Sequence, residues 1–165
     1  MVQEIPFNKL FNVYACKGML EARRSQKSDI TKVAIIGSRN YQSTTKIRDM
    51  IFMLKQKFSG KVEIISGGAA NGADRYARKY ALELGVDYVE FNPAHTVRNL
   101  YSAMPDGYYG QEFHVSQLFH RNELIAIYCD QMIAFRSVGK SNGTDHAVKM
   151  AEKYGKPFVI IGDKV

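Results

Sequence analysis

Val62-Glu-Ile-Ile-Ser-Gly-Gly-Ala-Ala-Asn-Gly-Ala-Asp74 is the stretch whose reading decides the fold. A β-branched apolar run stops at Ser66 and gives way to glycine and small residues. Beyond it, Ala73, Ala77, Tyr80, Ala81 and Leu84 recur at helical spacing. The stretch therefore predicts a buried strand, a flexible turn and a helix in succession. The same order stands on either side of it, in Val33-Ala-Ile-Ile-Gly-Ser-Arg-Asn40 and in Met132-Ile-Ala-Phe-Arg-Ser-Val-Gly-Lys-Ser-Asn-Gly-Thr-Asp145.

Working outward, Ile47, Met50, Ile51, Leu54 and Phe58 share one face of a helix closed by Gly60. Val86 to Phe91 reads as a third strand, residues 113 to 128 as a helix, and Gln131 to Phe135 as a fourth strand. Ala147, Val148, Ala151 and Tyr154 mark the last helix, and Pro157 to Ile161 the last strand. Strands alternating with helices predict an α/β, Rossmann-like, doubly wound and mainly parallel sheet covered on both faces. Two stretches fall outside this beat. Residues 1–30 hold an extra N-terminal helix (Leu10, Phe11, Val13, Tyr14, Leu20), read as an extension ahead of a 31–165 domain. Its apolar face must pack on the domain or on a second subunit. Residues 92–112 form a long Tyr-, Gly- and Pro-rich loop, in which Tyr101, Tyr108 and Tyr109 are candidates to stack on a base.

At 165 residues the chain is long enough to bury one core without disulfides or metals. Its apolar runs are too short to span a bilayer, and Met-Val-Gln-Glu-Ile-Pro lacks the layout of a secretory signal. The two cysteines, Cys16 and Cys129, have no metal or redox spacing and read as buried thiols in a reducing cytoplasm. His95, His114, His120 and His146 show no metal spacing either. No Walker A, nucleophile-elbow or Gly-x-Gly-x-x-Gly motif is present. No metal or cofactor is therefore expected. The net charge of +7 fits nucleic acid or a multiply phosphorylated small molecule, and scattered basic residues favour the second.

In an open α/β sheet, ligands bind beyond the carboxyl ends of the strands, where helix N-termini favour anions. Gly67 and Gly68 are candidates for a backbone anion nest, with Ala69 beside them, and Gly72 for close approach at a helix start. Arg39 and Arg121 offer planar forks for phosphate. Asp74 either holds a ribose hydroxyl or caps its helix. Gly37, Ser38, Asn122, Ser141, Asn142, Gly143 and Thr144 complete the candidate ligand-binding set.

These segments resemble the SLOG superfamily of Rossmann-like nucleotide-binding domains, which includes the LOG-type phosphoribohydrolases and the DNA-uptake protein DprA. The branch most similar is that related to YspA and YpsA. The resemblance rests on Gly37-Ser-Arg39, Ser66 to Asp74, Arg121-Asn122, Asp130 with the strand after it, and Ser141 to Thr144. It runs from about Lys32 to Ile161 and implies a pocket for a nucleotide-derived ligand. The LOG hallmark Pro-Gly-Gly-x-Gly-Thr-x-x-Glu is not kept. Aligned on Gly143-Thr144, its catalytic glutamate falls on Ala147, while Asp145 is displaced by two positions. The leading expectation is thus a sensor or sequestering protein for an ADP-ribose-like molecule or a cyclic or linear signalling nucleotide. A nucleotide N-glycosidase using Asp74 or Glu123 is the enzyme alternative, and single-stranded nucleic-acid binding is the third. The resemblance and the N-terminal apolar face together imply a homo-oligomer.

Overall fold

β1 (Thr31–Gly37) is the centre of the molecule and explains why its sequence is apolar without alternation. Val33 and Ile35 pack on one side with Ile47, Ile51 and Leu54 of α2 (Thr44–Lys57) and with Ala73 and Ala77 of α3 (Ala73–Glu83). Ala34 and Ile36 pack on the other, with Leu124 and Ala126 of α4 (Val115–Tyr128) and with Ala147 and Ala151 of α5 (Asn142–Lys153). A strand buried on both faces has no reason to alternate apolar with polar residues. The computed structural model describes residues 17–67, 71–91, 115–139 and 141–163.

β2 (Val62–Ser66), β3 (Asp87–Glu90), β4 (Gln131–Arg136) and β5 (Phe158–Gly162) complete a parallel five-stranded sheet in the order β3-β2-β1-β4-β5. The register runs Val33 against Ile64 on one side of β1 and Ile35 against Ile133 on the other. The doubly wound fold expected from the sequence is what the chain adopts. β5 departs from the buried pattern. It is an edge strand on which Phe158, Val159 and Ile160 are 41–50% exposed.

The N-terminal helix is part of this body over its described length, α1 (Lys17–Gln26). Leu20 is fully buried in the core beside α4. Arg23 reaches the start of β2 and donates two 3.1 Å bonds to the Glu63 carboxylate, which also accepts the Tyr128 hydroxyl at 2.7 Å. Arg24 pairs with Asp130 at 2.5 Å, and Asp130 takes the Lys32 backbone N–H as well. Between packing on the domain and packing on a second subunit, residues 17–26 take the first. Cys129 is buried, and burial pushes its thiol up to about 12, as an inert structural cysteine requires. Cys16 and the 92–112 loop lie outside the described residues.

Candidate functional site

The chain leaves β1 towards α2 on one face and leaves β4 towards α5 on the other, so the carboxyl ends of these neighbours diverge. This is the switch point at which doubly wound sheets open a crevice, and a cavity of about 730 Å³ lies there. Eleven residues of the candidate set line it: Gly37, Ser38, Arg39, Gly67, Asp74, Arg121, Asn122, Ser141, Asn142, Gly143 and Thr144. Gly68 and Ala69 lie outside the described residues.

The glycines serve the framework more than the sequence suggested. A Cβ on Gly37 would stand 2.2 Å from the Phe135 carbonyl oxygen and 2.6 Å from Ala73 Cβ, so β1, β4 and α3 close up only around glycine. Gly72 has φ +75°, and a Cβ there would meet the Ser38 and Arg39 carbonyl oxygens at 2.2 and 2.4 Å. The close approach expected at Gly72 is that of the β1 turn. Gly72 does not line the cavity. Ser38 draws the turns together. Its Oγ accepts from Ser137 N at 3.0 Å and shares a 2.6 Å bond with Ser141 Oγ, while its carbonyl takes Ala73 N at 3.2 Å.

The starts of α3 and α5 therefore converge on one residue. Neither helix has a side-chain cap: Gly72 cannot provide one, and the Ser141 hydroxyl is turned to Ser38. Asp74 stands in the first turn of α3, where its charge also suits the helix start. It is a buried carboxylate lining the cavity.

Arg121 enters from α4. Its Nη1 donates to the Gly67 carbonyl at 2.5 Å and to the Phe91 carbonyl at 3.2 Å, and its Nε to Asn122 Oδ1 at 2.9 Å. A Cβ on Gly67 would collide with Nη1 at 2.3 Å and with Cζ at 2.6 Å, and would lie 3.0 Å from Asp74 Oδ2. The missing side chain at Gly67 thus makes room for a guanidinium and a carboxylate side by side. Burial lowers the Arg121 pKa, and the charges of Asp74 and Glu90 oppose that loss. Glu90 is buried at the end of β3 and accepts the Tyr88 hydroxyl at 2.8 Å. Neither residue stood out in the sequence, where both read as ordinary β3 residues. Arg39, by contrast, is exposed at the rim.

Asn122 holds the far wall. Its amide donates to the Gly143 carbonyl at 3.2 Å and contacts His146 Nδ1 at 3.2 Å, which fixes the β4–α5 turn against α4. His146 stacks on Phe119, with ring centroids 4.0 Å apart, and does not line the cavity; nor does His120. Ile36, Leu118 and Ala147 add an apolar flank, and Asn40 and Asn71 further amides, none of them singled out as ligand contacts from sequence. Leu118 and Ala147 were hidden because apolar residues at helical spacing read as core. The other acids weighed for catalysis are engaged elsewhere. Asp145 forms a two-point ion pair with Arg136 at 2.8 and 3.2 Å, and Glu123 lies 4.0 Å from Lys153. Among the described lining residues, Asp74 is the one carboxylate.

The circularly permutated YpsA SLOG family model matches residues 64–164, and the YspA, cpYpsA-related SLOG family model matches residues 31–96. The chain belongs to the SLOG superfamily. A comparison with curated proteins gives no match. Among solved structures, this SLOG chain is similar to the molybdenum cofactor binding protein of the phototrophic bacterium Rippkaea orientalis, at TM-score 0.59 and 20% identity, over 82% of this chain and 78% of that one. It is also similar to the Moco carrier protein of Chlamydomonas reinhardtii, at TM-score 0.51 and 21% identity, over 80% and 76% of the two chains. At such identities the likeness is one of fold. No helix among the described residues is long and apolar enough to cross a membrane.

Proposed function

We propose that the SLOG cavity binds a phosphorylated heterocyclic molecule and holds it without turning it over. One observation carries the reading: two arginines and the starts of two helices without side-chain caps converge on one cavity, while the position of the LOG glutamate is Ala147. Helix N-termini and guanidinium groups attract phosphate. Leu118 and Ala147 give a ring an apolar surface. The preferred ligand class is a nucleoside derivative, ADP-ribose-like or a cyclic or linear signalling nucleotide, and the protein's role is sensing or sequestration. A second reading, binding of the molybdenum cofactor, is favoured by the fold shared with a molybdenum cofactor binding protein and a Moco carrier protein.

Bound ligand stabilises a fold by mass action, so a melting-temperature panel of ADP-ribose, mononucleotides, cyclic nucleotides and a phosphorylated pterin tests the proposal. Binding with the ligand recovered intact supports a holding protein. Free base appearing on chromatography would replace it with the N-glycosidase. Oligonucleotide binding that falls steeply with salt, with no response to mononucleotides, would replace it with the nucleic-acid reading. Self-association stays part of the proposal, tested by light scattering. Leu20 of the N-terminal apolar face packs within its own chain, while Leu10, Phe11, Val13 and Tyr14 lie outside the described residues.

A further inference from the structure

The start of α2 is held from beyond β5. Ser43 stands just before the helix, yet its hydroxyl makes no bond to the helix's own N–H groups. It turns instead to Asp163, the residue after β5, bonding to the carboxylate at 2.7 Å and to the Asp163 carbonyl. The same carboxylate accepts the backbone N–H of Ser43 at 2.9 Å and that of Gln42 at 3.0 Å. The Tyr41 hydroxyl donates to the Gly162 carbonyl at 2.9 Å. Lys46, one turn into the helix, donates to the Gly162 and Asp163 carbonyls at 3.1 and 3.0 Å. Tyr41, Gln42 and Ser43, the end of the β1–α2 turn, are thus all tied to the end of β5.

What that tie holds is the rim of the cavity. Arg39 and Asn40 line it, and they are the two residues between Ser38 and Tyr41. Ser38 is fixed on one side, with its N–H on the Phe135 carbonyl at 3.0 Å and its carbonyl taking Tyr41 N and Ala73 N at 3.2 Å. Tyr41 is fixed on the other, buried and edge-on to Phe135. The Arg39 side chain is exposed, so the backbone between these anchors sets where its guanidinium stands. Binding is weaker when it must also order the segment that carries the contact. We propose that Asp163 is a positioning residue for the cavity: it fixes the β1–α2 turn so that Arg39 meets the phosphate of the bound molecule. The proposal rests on the reading of the cavity as a site for a phosphorylated molecule. It extends that site to a strand end that does not line it.

Calorimetric titration of the full chain with ADP-ribose, GMP, cyclic AMP and neopterin monophosphate selects the probe, the one bound most tightly. Asp163→Ala should weaken that probe about tenfold, the equivalent of ordering one residue of backbone on binding. Asp163→Asn keeps an acceptor for Gln42 and Ser43 and should bind nearly as the unaltered chain does. Both variants remove the charge, so the difference between them reads the hydrogen bonds. In an Arg39→Ala background, Asp163→Ala should cost about twofold or less, because the two residues serve one contact. Apo melting reports which variants fold. If Asp163→Ala does not, Ser43→Ala cuts the same junction more gently and should show the same dependence on Arg39 at smaller size. Equal losses with and without Arg39 would make the junction merely structural and overturn the inference. Full affinity in a folded Asp163→Ala would overturn it too. Either result leaves the reading of the cavity standing, since the unaltered chain still binds the probe. No binding of any of the four by the unaltered chain overturns that reading, and this inference with it.

Discussion

Gly67 and Arg121 divide one small volume between them, and that division was not legible in the sequence. There, Ser66-Gly-Gly signalled a flexible turn able to offer backbone N–H groups. Here, Gly67 accepts from Arg121 with its carbonyl and yields its side-chain space to the guanidinium. Gly67→Ala puts a methyl group where Nη1 stands, so the arginine must leave its carbonyl partners. Affinity for whichever panel ligand binds best should fall by one to two decades, the equivalent of a charge-assisted contact worth about 1.5–3 kcal/mol. Arg39→Ala should cost a similar affinity by a different route. Arg39 is exposed at the rim, so apo stability should hardly move. Titration paired with apo melting separates the cases: a loss of affinity that only tracks a loss of fold would mean that Arg39 does not touch the ligand. Ser38 and Arg39 were readable as cavity-lining residues because they directly follow the carboxyl end of a strand. Which glycine serves a ligand was not, because a close approach in space leaves no mark on a single chain.

At the scale of elements, the alternation of apolar runs and 3.6-residue periods placed the strands and helices well, since each must bury one face or two. What the pattern could not show was how α4 and α5 meet. They are joined by Asn122, which holds Gly143 and His146 across the turn that walls the cavity. His146 can accept from the Asn122 amide only while its ring is neutral. Burial, helped by Lys149 and opposed by Glu123, lowers its pKa below the ordinary 6.5. The sign follows from linkage. With the folded pKa below the unfolded one, the unfolded chain takes up a proton first, so stability is lost as pH falls through about 6.5 and keeps falling to the folded pKa. Urea unfolding from about pH 7.5 down to 5.5 should show this decline, and His146→Gln, which keeps an acceptor without a titration, should flatten it. Equal slopes in the two proteins would show that His146 stays solvated or finds another partner.

For the whole molecule, the boundary drawn at residue 30 follows composition and not energetics. The first strand–helix repeat begins at Thr31, which is why the preceding helix reads as an appendage. Yet α1 plugs Leu20 into the core and supplies the cation to a buried carboxylate on β2, a partnership forty residues apart that periodicity cannot reveal. The Arg23 and Glu63 side chains are 8% and 6% exposed, so neither charge is well hydrated. Removing one partner of such a pair costs about 3–5 kcal/mol, whereas replacing both is far milder. The half-exposed Arg24–Asp130 pair adds little, about 0–1 kcal/mol. Deleting residues 1–28 should therefore lower the melting temperature by about 10 °C or more for a chain of this size, before any change of assembly is considered. Arg23→Met alone should reproduce most of that loss, leaving Glu63 buried and unpaired. Arg23→Met with Glu63→Gln should recover much of it, because the amide is uncharged and still accepts the Tyr128 hydroxyl. A truncated chain that melts with the full-length protein would show that the helix is an appendage after all.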